Sequence, residues 1–246
     1  LIEKFQEAYG SVQHVVYDAV SESAALDAFE TMYGERALPS YNLEKADVIV
    51  SVGADFLGDW QGGGFDTGYA KGRVPTNGKM SHHVQVEANM TLSGANADVR
   101  FMAKPSEQIQ ALIKLYQAVV KGVATREASP LNDMVQKAAA QLKKAGNKAV
   151  VLTGIQDVNA QLLALAINSA LSSEVIDTVN TKNIRKGNDK EVAQLIADMN
   201  AGKIDALLIN DVNPVYTLPN AEAFIEGLQN VALSVAFNSQ NDETVN

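Results

Sequence analysis

Residues 46–52, ADVIVSV, form an almost unbroken apolar, β-branched run that stops at Gly53. A strand with one wet face alternates apolar with polar residues. This one does not, so it calls for burial on both faces, as in a parallel sheet flanked by helices. The chain around it has the matching rhythm. Residues 1–9 are an amphipathic opening, residues 12–17 (VQHVVY) a short strand candidate, and residues 24–32 a helix broken by Gly34 and Pro39. Residues 83–87 (HVQVE) and 99–102 read as strands. From Pro105 a helix follows, because Ile109, Leu112, Ile113, Tyr116, Val119 and Val120 recur at spacings of three and four.

The second half repeats the pattern. Helix 131–144 is closed by Gly146, strand 149–152 ends at Gly154, and a helix capped by Asn159 runs to Leu171. A weaker strand at 174–179 precedes helix 191–200, strand 204–209, helix 219–228 and a last strand, 231–237. Strand–helix–strand units of roughly 25–40 residues are βαβ arithmetic. The expected fold is α/β: two Rossmann-like lobes with mainly parallel sheets flanked by helices. The polar segment 121–130 divides them, giving lobes at 1–121 and 126–246.

Composition narrows function. The 246 residues carry 20 Lys plus Arg against 29 Asp plus Glu, a net charge of −9 with no basic stripe, which disfavours nucleic acid or anionic lipid as main partner. No apolar run reaches the ~20 residues of a membrane helix, so no span is expected. Cysteine is absent, which removes disulfides, thiolate cluster ligation and a cysteine nucleophile from these residues. With Leu1 first and no signal-like segment, the sequence reads as an excised piece of a longer protein.

Ligands of open parallel sheets settle at the carboxyl ends of strands. Those ends are Gly53-Ala54-Asp55, Glu87-Ala88-Asn89, Thr153-Gly154 and Asn210-Asp211-Val212-Asn213-Pro214. Small and amide residues there suit a nucleotide, though residue for residue the plainer role is to turn a strand into a loop. The glycine-rich stretch 58–78 matches neither phosphate motif: Gly62-Gly63-Gly64 leads to Phe65 with no Gly-Lys-Ser/Thr, and no G-x-G-x-x-G follows Val52. Trp60, among those glycines, is either an interface anchor or a lid that packs down. The adjacent His82 and His83 point to opposite faces of a strand and cannot share a metal ion. Ser21 and Ser23 read first as helix caps.

Four strings in order carry a resemblance. They are ADVIVSVGADFLGDW (46–60), VEANMTLSGANAD (86–98), PSEQIQALIKLYQAV (105–119) and IDALLINDVNPVYTLPNA (204–221). They resemble the molybdopterin oxidoreductase family's "ADVILxxGxNP", "IDPRxTxTAxxAD", "PGTDxALxLAxxxV" and "IKALxxxGxNPxxSxPD". More narrowly, GADFLGDWQGGG with GKMSHHVQVEANMTLSGANAD is similar to the molybdopterin-like part of the iron–sulfur subunit of bacterial alternative complex III, a quinol:electron-acceptor oxidoreductase.

The resemblance implies a bis-guanine-dinucleotide cofactor held at Gly53, Asp55, Glu87, Asn89, Asn213 and Pro214. It also implies partner subunits of a membrane respiratory complex, iron–sulfur clusters elsewhere in the full-length protein, and export to the outer face of the cytoplasmic membrane. Departures from the pattern point to a degenerate site. Asp55 stands where the family has Asn, and Glu87-Ala88-Asn89 replaces "DPR", so an arginine is lost and an acid gained where phosphate would lie. No cofactor is therefore expected in these residues, and the expected role is a scaffold. Two alternatives stand beside it: an active molybdenum enzyme with Ser21 or Ser23 as metal ligand, and a free-standing nucleotide-binding α/β protein.

Overall fold

The computed structural model describes residues 1–75, 78–123 and 128–245. In chain order the elements are α1 (Ile2–Tyr9), α2 (Ser23–Tyr33), β1 (Leu38–Tyr41), β2 (Val48–Val52), α3 (Asp66–Gly72), β3 (His82–Glu87), α4 (Leu92–Ala95), β4 (Val99–Met102) and α5 (Pro105–Val119). Then come α6 (Pro130–Ala145), β5 (Ala149–Thr153), α7 (Val158–Ala170), β6 (Ile176–Lys182), α8 (Asp189–Asn200), β7 (Ala206–Asn210), α9 (Pro214–Thr217), α10 (Ala221–Gln229) and β8 (Leu233–Phe237).

The chain forms an α/β protein with two compact units. One comprises Ala24–Arg185; the other combines Leu1–Ser23 with Lys186–Asn246. The lobe junction expected at 121–126 runs into residues 124–127, which lie outside the described residues. Strand β5, read from sequence as the first strand of the second lobe, hydrogen-bonds to β2 in perfect parallel register, Val48 with Ala149 through Val52 with Thr153.

In the larger unit the parallel sheet has the order β4-β3-β2-β5. All five residues of β2 are buried, as its unbroken apolar run requires. Val48, Val50 and Val52 join Val84, Val86 and Val151 in a core with Leu112 and Leu115 of α5, Val135 and Leu142 of α6, and Ile167 of α7. Ile49, Val150 and Leu152 face the other way, onto Phe56, Phe65 and Tyr69. Strand β5 is an edge of this sheet, yet it is buried throughout. Its edge is closed by a side chain: Asn168 of α7 accepts from Val151 N at 2.7 Å and donates to Val151 O at 2.8 Å. An amide that matches both backbone groups leaves no ladder for another strand to join.

In the smaller unit β7 and β8 pair in parallel. Leu207 and Ile209 pack with Met199 of α8 and Phe224 of α10.

Several local expectations give way. Residues 12–17 form no strand, and β1 forms where Pro39 had suggested a break, its partner being the distant β6 in antiparallel pairing. Helix α7 is capped by Asp157, whose carboxylate accepts from Ala160 N at 2.9 Å, and not by Asn159. Inside the glycine-rich stretch lies α3.

Candidate functional site

The strand ends Gly53, Glu87 and Gly154 lie side by side because β3, β2 and β5 are in register. Strand β3 decides what surrounds them. Its alternation puts Val84 and Val86 against the helices and His83, Gln85 and Glu87 on the opposite face, where they are buried too. Three polar side chains buried in a row must satisfy one another.

They do so as a ladder. Glu87, 2% exposed, accepts from Gln85 Nε2 at 3.2 Å, Thr91 Oγ1 at 2.6 Å, Thr91 N at 3.3 Å and Arg100 Nε at 2.5 Å. Burial works to raise its pKa, but the hydrogen bonds from Thr91, Arg100 and Gln85 hold it below the usual carboxylate range. Gln85 Nε2 also donates to Ala54 O at 3.1 Å, tying β3 to the turn after β2. With its amide nitrogen so used, Gln85 Oε1 accepts from His83 Nε2–H at 3.1 Å. The Tyr69 hydroxyl, with one proton to give, lies 3.2 Å from His83 Nδ1 and 2.9 Å from Asn96 O. Burial pushes the His83 imidazole down to about 4.

Next to this ladder Arg73 clamps Asp98 with two bonds, of 2.6 and 2.8 Å, and Asp98 accepts from His83 N at 2.8 Å. Burial opposes ionisation of Asp98, but Arg73 and the His83 backbone keep its pKa below the ordinary value. Arg73 and Tyr69 also line an open cleft of about 440 Å³ with Leu57, Asp66, Leu92 and Asn96.

The family positions are thus brought together only in part. Asp55 accepts from Ser93 N at 2.8 Å, and Ser93 Oγ accepts from Leu57 N at 2.9 Å, so its carboxylate fastens the β2 loop to α4. Asn89 is exposed and outside the network. Gly53 has φ +72°, a left-handed conformation that suits glycine, and a Cβ there would lie 2.7 Å from Gln108 Oε1 of α5. Gly154 serves close packing, since a Cβ on it would run into the Gly53 backbone.

Asn213 and Pro214 belong to the smaller unit, at the turn after β7. Asn213 Oδ1 accepts from Thr244 Oγ1 at 2.7 Å and Tyr216 N at 3.3 Å, while its Nδ2 donates to Glu243 at 2.7 Å; Pro214 is buried as the first residue of α9. Ser21 Oγ accepts from Ser23 N at 3.0 Å and donates to Asp189 at 2.8 Å. Ser23 Oγ accepts from Asp189 N at 3.2 Å. Both serines therefore brace helix starts. Among the described residues no group of three or more His, Asp or Glu could hold a metal ion.

A phosphate-bearing cofactor needs donors and positive charge, and at these strand ends Asp55 and Glu87 place carboxylates that the protein's own donors hold. Two carboxylates occupy the place, and the nearby cation, Arg100, is bound to Glu87. The residues present do not fit the dinucleotide. Trp60, expected foremost as an interface anchor, is partly buried, with its ring 5.5 Å from both Tyr41 and Phe65. Reading by motif missed Gln85, Arg100 and Gln108; the polar–apolar alternation of HVQVE was the available signal for the first.

No protein-family model matches the chain. One curated relative does. The chain is similar to the menaquinone reductase molybdopterin-binding-like subunit of Nitratidesulfovibrio vulgaris (strain Hildenborough), with 24% identity over 291 aligned residues. The alignment covers 99% of this chain and 41% of that protein, so the chain spans about two fifths of the relative's length. The likeness supports a molybdopterin-like family at most. Among the described residues no helix is long and apolar enough to cross a membrane.

Proposed function

We propose that this chain is the scaffold portion of a molybdopterin-oxidoreductase-like electron-transfer subunit, with a cofactor cleft converted to structural use. The observation that carries this is the spending of Asp55 and Glu87 on internal hydrogen bonds at the strand ends. A carboxylate with four donors around it organises its own loop and has no capacity left for a ribose or phosphate. Gln108 Oε1 of α5 lies beside Gly53 from the helix side. In this reading the iron–sulfur clusters lie elsewhere in the full-length protein, which works with partner subunits at the outer face of the cytoplasmic membrane, as in alternative complex III.

The test is elemental and nucleotide analysis of the full-length protein purified from its native membranes. The expected result is neither molybdenum nor tungsten, and no guanine nucleotide released on denaturation. About one molybdenum atom per chain would overturn the scaffold reading and favour the catalyst with a serine ligand. Saturable binding of free guanosine diphosphate would favour a nucleotide-binding protein instead.

A further inference from the structure

The net charge of −9 is not spread over the chain. The unit formed by Leu1–Ser23 and Lys186–Asn246 holds thirteen acidic and four basic residues, whereas Ala24–Arg185 holds sixteen of each. The entire excess of acid therefore sits on the smaller unit, and the larger one is neutral.

That same unit leaves a sheet face bare. Parallel strands are normally covered on both faces. Here α8 and α10 cover one face of β7 and β8, the face of Leu207 and Ile209. The register pairs Ala206 with Leu233, Leu208 with Val235 and Asn210 with Phe237, so these six side chains share the opposite face. Leu208, Leu233 and Phe237 are 50%, 56% and 59% exposed there, and none of the six is charged. Asp205 immediately precedes β7 and Asp211 immediately follows it. Both are exposed, and neither carboxylate has a hydrogen bond or ion pair among the described residues.

We propose that the bare face of β7 and β8 is a docking surface for a protein partner with a basic rim around an apolar centre. An uncharged apolar middle flanked by unpaired carboxylates has the form of an electrostatically steered interface, and the acid fixes the sign of the partner. A second copy would bring −9 against −9, and an anionic lipid surface would be repelled likewise. The inference rests on the scaffold reading and adds to it the surface used and the charge of what it meets.

Zero-length carbodiimide coupling tests this on the complex purified from native membranes. The reagent joins a carboxylate directly to a lysine in contact with it. The expected products join Asp205 or Asp211 to lysines of another subunit. Their yield should fall at least about tenfold in Phe237→Ser, and again in 0.5 M salt. Phe237 is exposed, so that variant keeps its fold; a circular dichroism spectrum checks it, and Leu208→Ser serves as the second variant. Products joining Asp205 or Asp211 to lysines of the same polypeptide or of a second copy would overturn the proposal. So would the absence of coupling at both while other exposed carboxylates react, or a yield indifferent to both substitutions. The metal and nucleotide analysis is independent of these products, so the scaffold reading and this surface can fail separately.

Discussion

Acid should weaken the larger unit through one buried imidazole. His83 is fully buried and neutral, with a pKa lowered from 6.5 to about 4 by burial. The unfolded chain therefore binds a proton between pH 6.5 and 4 that the folded chain refuses, and stability is lost as pH falls through that window. With those two values the loss between pH 7 and pH 5 is about 2 kcal/mol, approaching about 3 kcal/mol below pH 4. Glu87 and Asp98 titrate in the opposite sense. Their folded values lie below 4.5 and 3.8, so their contribution is intact above those values and is lost only in stronger acid. The interval from pH 7 to 5 thus isolates His83 among the shifted groups. Trp60 is the sole tryptophan and lies in the same unit, so urea unfolding followed by its fluorescence reports the right region. His83→Gln keeps an N–H donor for Gln85 and cannot titrate. Its unfolding free energy should change by about 2 kcal/mol less than wild type between pH 7 and 5. Parallel pH profiles for the two proteins, or an imidazole that titrates near 6.5 in the folded state by NMR, would refute the reasoning.

Three further outcomes follow from the same packing, each read by urea unfolding. Asn168→Ala strips both hydrogen bonds from the Val151 backbone at the edge of β5 and should cost about 3 kcal/mol, because two buried backbone groups lose their partners. Gly154→Ala drives a methyl group into the Gly53 backbone and should cost about 3 kcal/mol or more; a near-neutral result would mean the two strand ends are not in contact. Arg100→Met leaves the buried Glu87 carboxylate without its cation and should cost about 2–3 kcal/mol, and more than Glu87→Gln, which removes the charge itself. If Glu87→Gln proved the costlier of the two, the pair would not be acting as a neutralised unit.

The site was legible in position but not in chemistry. Gly53, Glu87 and Gly154 were placed at strand ends from the runs that precede them, and the register confirms that they sit together. What the carboxylates do there could not be read. Glu87 looked like a weakened cofactor residue because its main partners, Gln85, Thr91 and Arg100, include one 13 residues away on another strand. Gln108 has no motif at all; it matters only because α5 lays it across Gly53.

By itself, the sequence determined the elements whose pattern is local. The unbroken ADVIVSV run required burial on both faces, and the three-and-four spacing after Pro105 required a helix. Both hold, since side-chain periodicity acts within a few residues. Tertiary structure alone decided the pairing of β2 with β5, of β1 with β6, and the closing of the β5 edge by Asn168. Those contacts join residues up to 144 positions apart, from Leu38 to Lys182, and depend on which surfaces meet, not on any neighbouring residue's preference. The charge shows the same division. Its total of −9 is a count along the sequence, but only the fold gathers residues 1–23 and 186–246 into one unit and leaves all of that excess there.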